Sequence, residues 1–232
     1  EIRAKTPKSL EIEAFVHGAM CISYSGRCLI SQYMTGRDAN HGACAQPCRW
    51  NYSLMEEKRP GQFFPVEEDG RGTYLYNSKD MCMIEHVPEL IKAGITSFKI
   101  EGRNKTAYYA ACVTGAYRAA IDTYKKDPEN FVLPQFCRDE VNKVSHREYY
   151  TGFYFGNQEN GQHYGDSQYI REYEVVGMPV ECDDSGKAVF ALKNRFFDGE
   201  ELELIQPGQA PYVFRAENVT DDEGTKRELF NV

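Results

Sequence analysis

The alternation of hydrophobic and polar positions divides the chain into three stretches. The first, residues 1 to about 76, is rich in turn signals such as Ser-Gly-Arg and Arg-Pro-Gly-Gln, which predicts a loop-rich segment. Two parts of it are candidates for strands: residues 10–17, which alternate moderately, and residues 62–67.

The second stretch begins near residue 77 with a helical pattern. Ser78 is a suitable N-cap for a helix over residues 81–87. Pro88 can start a further helical turn, because proline is tolerated in the first turn of a helix. Gly94 is suited to end this turn, because glycine readily adopts the left-handed conformation that follows a helix.

A strand and a longer helix are predicted next. Residues 95–102 predict a buried strand, and residues 104–126 predict a helix. The apolar positions of this helix recur at helical spacing, and they are Tyr109, Val113, Ala116, Ala120 and Tyr124. The order helix, strand, helix is typical of α/β proteins with a parallel sheet or barrel.

The third stretch has a period of two. A linker with Pro128, Pro134 and a short helical segment precedes it. Turns rich in Asp, Gly and Pro then separate five predicted strands, over residues 169–176, 188–193, 201–205, 212–219 and 226–230. This spacing predicts a small antiparallel β-barrel domain. We therefore expect a cysteine-rich α/β region at 1–125, a linker at 126–150 and the barrel at 151–232.

Composition and charge exclude several classes of protein. The net charge of −8 argues against a protein that holds nucleic acid through a general positive field. No apolar run approaches the roughly 18 residues of a membrane span, so we expect no membrane partner. The amino-terminal sequence lacks the layout of a secretory signal, which predicts a cytoplasmic protein. It also lacks an initiator Met, which predicts a processed chain or the C-terminal part of a longer one.

The eight cysteines limit the kinds of site that the chain is expected to form. Three of them, Cys112, Cys137 and Cys182, are interpreted as small buried hydrophobic residues. The other five lie among polar residues within the first 82 positions, and they are Cys21, Cys28, Cys44, Cys48 and Cys82. Disulfides are disfavoured in a reducing cytosol. The wide spacing favours an iron–sulfur cluster, with a zinc site and no metal at all as the open alternatives.

Several long motifs resemble the peptidase U32 family. One runs from Glu13 to Ser31 as EAFVHGAMC, four further residues, then GRCLIS; others are TGRDANHGACAQPCRW, NSKDMCMIEHVPELIKAGI and FKIEGRNKTAYY. The resemblance covers about the first 125 residues. It implies a partial TIM-like barrel with cysteine-rich loops that carries a [4Fe-4S] cluster. It also implies a further N-terminal barrel portion of the same protein as a partner.

The resemblance implies a ligand set and a reaction. Position by position, the cluster ligands are Cys21, Cys28, Cys44 and Cys82, with Cys48 as a neighbouring thiol or an alternative to Cys44. The branch of the family that the chain resembles most is linked to oxygen-independent hydroxylation of the wobble uridine of tRNA. Prephenate is implicated there as a co-substrate.

Substrate-binding candidates follow the strand predicted at 95–102. Glu101 and Arg103 lie where barrel enzymes place functional groups, although a solvent-exposed ion pair is an equally ordinary role. Basic residues of this half are suited to phosphates or a dicarboxylate if they converge, and they are Arg37, Arg49, Lys58, Arg59, Lys99, Arg103 and Lys105. Tyr24, Trp50 and Tyr52 are candidates for stacking on a base.

Two other functions remain open. The family's description suggests a collagenase-like peptidase, but the sequence contains neither a His-Glu-x-x-His motif nor a Gly-x-Ser-x-Gly motif. The C-terminal stretch suggests an RNA-binding module without enzymatic activity, but its acidic turns oppose contact with phosphates.

Overall fold

The computed structural model describes residues 1–21, 23, 27–50, 52–54, 58, 60–61, 64–65, 78–156 and 169–231. Its helices are α1 Ile30–Thr35, α2 Val87–Lys92, α3 Ala107–Lys126 and α4 Gln135–Lys143. Its strands are β1 Glu13–Ala19, β2 Ser53–Leu54, β3 Phe64–Pro65, β4 Asp80–Cys82, β5 Ser97–Ile100, β6 Tyr149–Tyr150, β7 Gly177–Cys182, β8 Ala188–Leu192, β9 Phe196–Phe197, β10 Glu201–Leu204, β11 Tyr212–Arg215 and β12 Leu229–Phe230.

The chain forms two compact units. The first contains residues 1–105 and 146–170, and the second contains residues 106–145 and 171–232. The first unit is built on a mixed four-stranded sheet in the order β5-β1-β4-β6. Strand β1 is parallel to β5 and antiparallel to β4, whereas β6 is parallel to β4.

The helix predicted over residues 81–87 is wrong. Asp80–Cys82 is strand β4 instead, followed by a short 3-10 turn at Ile84–His86 and by α2. Strand β4 has a partner on each side, β1 and β6, and these pairings satisfy its backbone groups in a way that local helix propensity does not reveal. Within α2, Pro88 lies in the first turn as predicted, and Gly94 follows the helix with φ +82°.

The strand predicted at 95–102 is present as β5, but it is not buried. It lies at the edge of the sheet, its residues are half-buried or exposed, and Lys99 points to solvent. The predicted strand at 10–17 corresponds to β1, shifted toward its C-terminal side. Most of the predicted strand at 62–67 lies outside the described residues, which contain only Phe64–Pro65 of it.

The long helix is confirmed as α3. Thr106 caps its N-terminus by accepting a hydrogen bond from the Tyr109 backbone N–H at 3.2 Å. All five predicted apolar positions are buried, and α3 packs against α4 in the second unit. Cys112 and Cys137 are buried in this layer as predicted, whereas Cys182 is exposed, which contradicts its interpretation as a core residue.

Antiparallel pairs make up the C-terminal stretch, in agreement with its period of two. They are β7 with β8, β10 with β11, and β9 with β12. The described residues after position 168 contain no helix. They form separate two-stranded sheets, and no closed barrel is present among the described residues of either unit. Neither the TIM-like barrel nor the C-terminal barrel is therefore confirmed.

The C-terminal strand predicted over residues 169–176 is wrong. Residues 171–176 form no strand, and the extended segment begins at Gly177 as β7. Gly and Pro within β7 concealed it, since both are depleted in strands. The strand accommodates Pro179 at a register shift in its pairing with β8. The small core of this part consists of Phe196, Ala216 and Phe230.

Lys143 connects the helical layer to the strands of the second unit. Its ammonium group contacts Glu140 on α4 at 2.8 Å and also Glu203 on β10. Both carboxylates raise the pKa of Lys143, against the opposing effect of burial.

The predicted domain boundaries at 125 and 150 stay predictions. No helix in the described part of the chain is long and apolar enough to cross a membrane.

Gly18 and Gly115 provide a matched test of this fold. Gly18 has φ +122°, and a Cβ there would lie 2.5 Å from the Glu101 carbonyl oxygen. We expect Gly18→Ala to lower the free energy of unfolding by about 1–3 kcal/mol. Gly115 on α3 has open space around it, so Gly115→Ala should raise the free energy of unfolding by about 0.5–1 kcal/mol. Urea denaturation followed by circular dichroism measures both, and a neutral Gly18→Ala would contradict the close approach of β1 and Glu101.

Candidate functional site

The five clustered cysteines all lie in the first unit, at the ends of its elements. Cys21 follows β1, Cys28 precedes α1 and Cys82 ends β4. Cys44 and Cys48 follow α1, with Cys48 in the 3-10 turn Pro47–Arg49. Cys21 is exposed and the other four are half-buried, and none of the five is part of a disulfide.

Backbone amides donate to two of the thiols. The Ser23 N–H donates to Cys21 Sγ at 3.4 Å, and the Gln46 N–H donates to Cys44 Sγ at 3.3 Å. In both cases the donor is two residues after the cysteine. Hydrogen bonds of this kind stabilise a thiolate, and hydrogen bonds to sulfur also tune iron–sulfur clusters.

The loop that follows β5 lies against the loop that carries Cys44. Asn104 Nδ2 donates to the Cys44 carbonyl oxygen at 3.4 Å. The Arg103 guanidinium covers Gly42 so closely that a Cβ at Gly42 would lie 2.5 Å from Arg103 Nη1. Gly42 also has φ +82°, so this position favours glycine twice over. The structure therefore brings predicted site residue Arg103 beside the loop that carries predicted ligand Cys44.

Glu101 holds the start of the same loop. Its backbone N–H donates to the His17 carbonyl oxygen at 2.8 Å, continuing the pairing of β5 with β1. Its carboxylate accepts a hydrogen bond from the Arg103 N–H at 2.9 Å. Glu101 thus orders the loop that presents Arg103.

One face of the sheet carries a row of polar side chains. His17 is paired with Cys82, and Asp80 is paired with Tyr149. Since paired residues and alternate residues share a face, these four side chains lie on the same face of the sheet. The Tyr149 hydroxyl and His17 Nε2 are hydrogen-bonded at 3.3 Å, across the strand that ends at Cys82.

Two neighbouring residues support this polar face. The His146 ring stacks on Tyr149 with centroids 4.2 Å apart. The Arg147 N–H donates to Asp80 Oδ2 at 3.2 Å, and Asp80 is 1% exposed. These contacts fix β6 against β4.

Tyr169 links the cations of the unit to the cysteine loop. The Lys105 ammonium lies 4.3 Å from the centroid of its ring, and the Arg147 guanidinium lies 5.1 Å from it. The Tyr169 hydroxyl donates to Gln46 Oε1 at 3.3 Å. Gln46 lies between Cys44 and Cys48 in sequence, so Tyr169 connects these two cations to the loop that carries both cysteines.

His17 is electrically neutral in this environment. Burial lowers its pKa to about 3, with further lowering by His146 and by Lys105. A neutral imidazole can donate one hydrogen bond and accept another, but it brings no charge to the site. Cys82 therefore has a neutral hydrogen-bonding residue as its partner across the strands.

The residues fit an iron–sulfur cluster in their chemistry. None of the five cysteines is part of a disulfide, and two of the thiols accept amide hydrogen bonds. The described residues contain no group of three or more His, Cys, Asp or Glu side chains placed to hold a metal ion. The ligand set Cys21, Cys28, Cys44 and Cys82, and the choice between Cys44 and Cys48, stay predictions.

The other predicted binding residues are dispersed. Lys99 pairs with Glu13 at 3.2 Å on the sheet edge. Trp50 is 46% exposed, and the Tyr52 hydroxyl is bonded to the Pro47 carbonyl oxygen at 2.6 Å. Tyr24 and Arg59 lie outside the described residues, as does the Arg49 side chain. Of the basic set, Arg103 and Lys105 share the loop beside the cysteines.

Sequence reasoning missed the polar face. Neither Asp80 nor Tyr149 is a predicted site residue, and Asp80 directly precedes the wrongly predicted helix. His17 lies on a strand of otherwise apolar buried residues, and this position is the available signal. The remaining members depend on β6, a two-residue strand whose pairing no local pattern indicates.

The low pKa of His17 predicts a pH dependence of stability. In the unfolded chain the imidazole binds a proton below about pH 6.5, whereas in the folded chain it does so only near pH 3. Between these values the unfolded state binds more protons, so the free energy of unfolding falls as the pH decreases. The contribution is complete above pH 6.5 and declines by up to about 1.4 kcal/mol per pH unit below it.

Urea denaturation between about pH 7.5 and pH 5 tests this dependence. The His17→Gln variant should be less stable at neutral pH but lose less stability on acidification than the unsubstituted protein. His41→Gln is the control, because the side chain of His41 is 85% exposed and pairs with nearby Asp38. Equal slopes for the His17 variant and the unsubstituted protein would show that His17 is protonated in the fold.

Comparison with known proteins gives matches over nearly the whole chain. Residues 1–164 match the model of peptidase family U32, and residues 171–231 match that of the peptidase family U32 C-terminal domain. No solved structure gives a match.

Three relatives illustrate the range of names among similar proteins. The chain is 37% identical over 229 residues to tRNA hydroxylation protein P1 of Bacillus subtilis (strain 168), covering 97% of this chain and 54% of the relative. It is 42% identical over 175 residues to the 23S rRNA 5-hydroxycytidine C2501 synthase of Escherichia coli (strain K12), covering 73% and 25%. It is 27% identical over 232 residues to a collagenase of Porphyromonas gingivalis, covering 96% and 62%.

The chain thus spans about half the length of the first of these relatives. The two family models together cover all but a few of its residues, in the order expected for one protein. The chain belongs to peptidase family U32 and includes its C-terminal domain.

Proposed function

We propose that this chain is part of an enzyme that hydroxylates an RNA base, the wobble uridine of tRNA, without molecular oxygen. The observation that carries the proposal is the 37% identity, over 97% of the chain, to a relative named for tRNA hydroxylation. The relative named for synthesis of hydroxycytidine in rRNA supports the broader reaction, hydroxylation of a pyrimidine in RNA.

A [4Fe-4S] cluster is the proposed cofactor, held by Cys21, Cys28, Cys44 and Cys82. When bound, it supplies one-electron redox chemistry that protein side chains lack. The amide hydrogen bonds to Cys21 and Cys44 support this assignment, because they favour the thiolate form that a cluster requires. The neutral His17–Tyr149 pair holds the end of β4, and therefore Cys82, in a fixed orientation.

A dicarboxylate such as prephenate is the proposed co-substrate. Arg103 presents a guanidinium beside the Cys44 loop, and Lys105 adds an ammonium from the same loop. Guanidinium groups bind carboxylates with two parallel hydrogen bonds, which fixes the orientation of the ligand. The Glu101 carboxylate accepts a hydrogen bond from the Arg103 backbone N–H. Its proposed role is to order this loop and not to bind the anion itself.

The finer architecture is part of the proposal. We place the first unit in a TIM-like barrel that an N-terminal portion of the same protein completes, and the C-terminal strands in a small closed barrel. The parallel pairing of β1 with β5 is the support for the former, and the three antiparallel pairs are the support for the latter. A cytoplasmic location is also part of the proposal, because the proposed tRNA substrate is used there.

Proteolysis is the second candidate. The specific observation in its favour is the pairing of Cys82 with His17 on one face of the sheet, because cysteine peptidases use a thiol and an imidazole. The low pKa of His17 opposes it, since an imidazolium that stabilises a thiolate must hold its proton near neutral pH. If the protein cleaves gelatin and iodoacetamide abolishes the cleavage, proteolysis by a cysteine is favoured.

Replacement of one predicted ligand tests the cluster and the reaction together. Cys28→Ala should lose most of the iron and acid-labile sulfide of anaerobically prepared protein, because a cluster with three thiolates is easily oxidised and lost. In a cell that lacks its own enzyme, the same variant should also abolish hydroxylation of the wobble uridine, as measured by mass spectrometry of tRNA nucleosides.

Cys182→Ala is the matched control. Cys182 is an exposed free thiol outside the predicted ligand set, so its loss should change neither iron content nor hydroxylation. Both variants are compared at equal soluble protein, since any substitution can lower protein level through stability. Full hydroxylation by Cys28→Ala would show that the reaction does not require the cluster. Absence of iron from the unsubstituted protein would contradict the assignment of the cofactor.

A further inference from the structure

An open apolar cavity of about 300 Å³ lies in the first unit, away from the polar face. Five residues line it: Phe15, Met20, Met81, Phe153 and Tyr154. Its size is at the lower end of the range for small-molecule sites, which suits one planar ring. Aromatic rings and thioethers are the side chains that pack best against a flat aromatic ligand.

The aromatic lining is unusually exposed. Phe153 is 70% exposed, Phe15 is 47% exposed and Tyr154 is 38% exposed. A cluster of exposed aromatic side chains is a sign of a binding surface, because burial would otherwise be favourable. Lys99 lies at the rim, with its ammonium 5.0 Å from the centroid of the Phe15 ring.

The cavity is held in shape by its own contacts. The Tyr154 hydroxyl donates to the Phe15 carbonyl oxygen at 2.7 Å, which ties the turn after β6 to strand β1. Gly152 in that turn has φ +62°, and a Cβ there would lie 3.3 Å from Met81 Cε. A preformed cavity binds without an additional ordering cost.

Its position relates it to the predicted ligands. Met20 directly precedes Cys21, and Met81 directly precedes Cys82. Successive residues of a strand point to opposite faces, so Met81 and the cavity lie on the face of β4 opposite the Cys82 thiol. A molecule bound in the cavity therefore lies close to the backbone that carries the predicted cluster cysteines, but on the other side of the sheet.

Charge is divided unequally along the chain. Residues 171–231 contain 7 basic and 14 acidic residues, a net charge of −7, whereas residues 1–170 contain 20 basic and 21 acidic residues, a net charge of −1. A polyanion is repelled by the C-terminal part and much less by the remainder. The cavity lies wholly within the less acidic part.

We propose that this cavity binds an unpaired base of the RNA substrate, stacked on Phe153. The inference rests on the proposed function and extends it by naming a subsite. Unpaired bases in RNA loops are bound by aromatic stacking, and stacking tolerates any base. Because the cavity faces away from the Cys82 thiol, it holds a base that flanks the reacting one, and it fixes how the loop lies on the protein.

Binding of a short fluorescein-labelled oligouridylate, followed by fluorescence anisotropy, tests the subsite. Phe153→Ala should weaken binding roughly 5- to 150-fold, the range that corresponds to about 1–3 kcal/mol per stacked base. Phe197→Ala is the matched control, because Phe197 is 54% exposed and lies in the acidic C-terminal part. It should bind the oligonucleotide like the unsubstituted protein. Circular dichroism confirms that both variants are folded.

The outcomes separate the subsite from the proposed function. Unchanged binding by Phe153→Ala, with the unsubstituted protein binding well, would overturn the subsite and leave RNA hydroxylation standing. An unsubstituted protein that binds no oligouridylate would also overturn the subsite, whereas only unmodified wobble uridine in the tRNA nucleoside analysis would overturn the proposed hydroxylation. If Phe153→Ala instead changes the oligomeric state in size-exclusion chromatography without affecting RNA binding, the cavity is a protein–protein contact and the proposal is wrong.

Discussion

The pairing of β4 with both β1 and β6 is the constraint on which the first unit depends. It places Cys82 opposite His17 and Asp80 beside Tyr149, so that four polar side chains share one face. The same pairing turns Met81 to the opposite face, where it lines the apolar cavity. One three-residue strand therefore separates a polar region near the cysteines from an apolar binding surface.

The buried polar residues on this face, and the neighbours that support it, need hydrogen-bonding partners. His17, Asp80, His146 and Arg147 are each at most 5% exposed, and unpaired polar groups at such depth are costly. The Tyr149–His17 hydrogen bond, the stacking of His146 on Tyr149, and the bond from the Arg147 N–H to Asp80 contribute to that pairing. The neutrality of His17 suits a hydrogen-bonding support for Cys82 better than a nucleophile–base pair.

The cysteine loops gain order from elements that lie far away in sequence. Asn104 and Arg103 follow β5, yet they contact the loop around Gly42 and Cys44. Tyr169, from the segment after β6, reaches Gln46. The names of two similar proteins support the proposed RNA hydroxylation. The contacts of Asn104 and Tyr169 explain how loops with little regular structure can present several thiols.

The sequence by itself determined the cysteine-rich region, the long helix α3 with its buried face, and the antiparallel character of the C-terminal strands, because periodicity and residue type act locally. It also predicts Arg103 as a binding residue, because the loop of Arg103 follows a recognisable strand; that role stays a prediction. Tertiary structure alone decided that Asp80–Cys82 is a strand, that β5 lies at an edge, and that His17 and Tyr149 meet. Those outcomes depend on pairing between segments as many as 132 residues apart, and no local pattern encodes such partners.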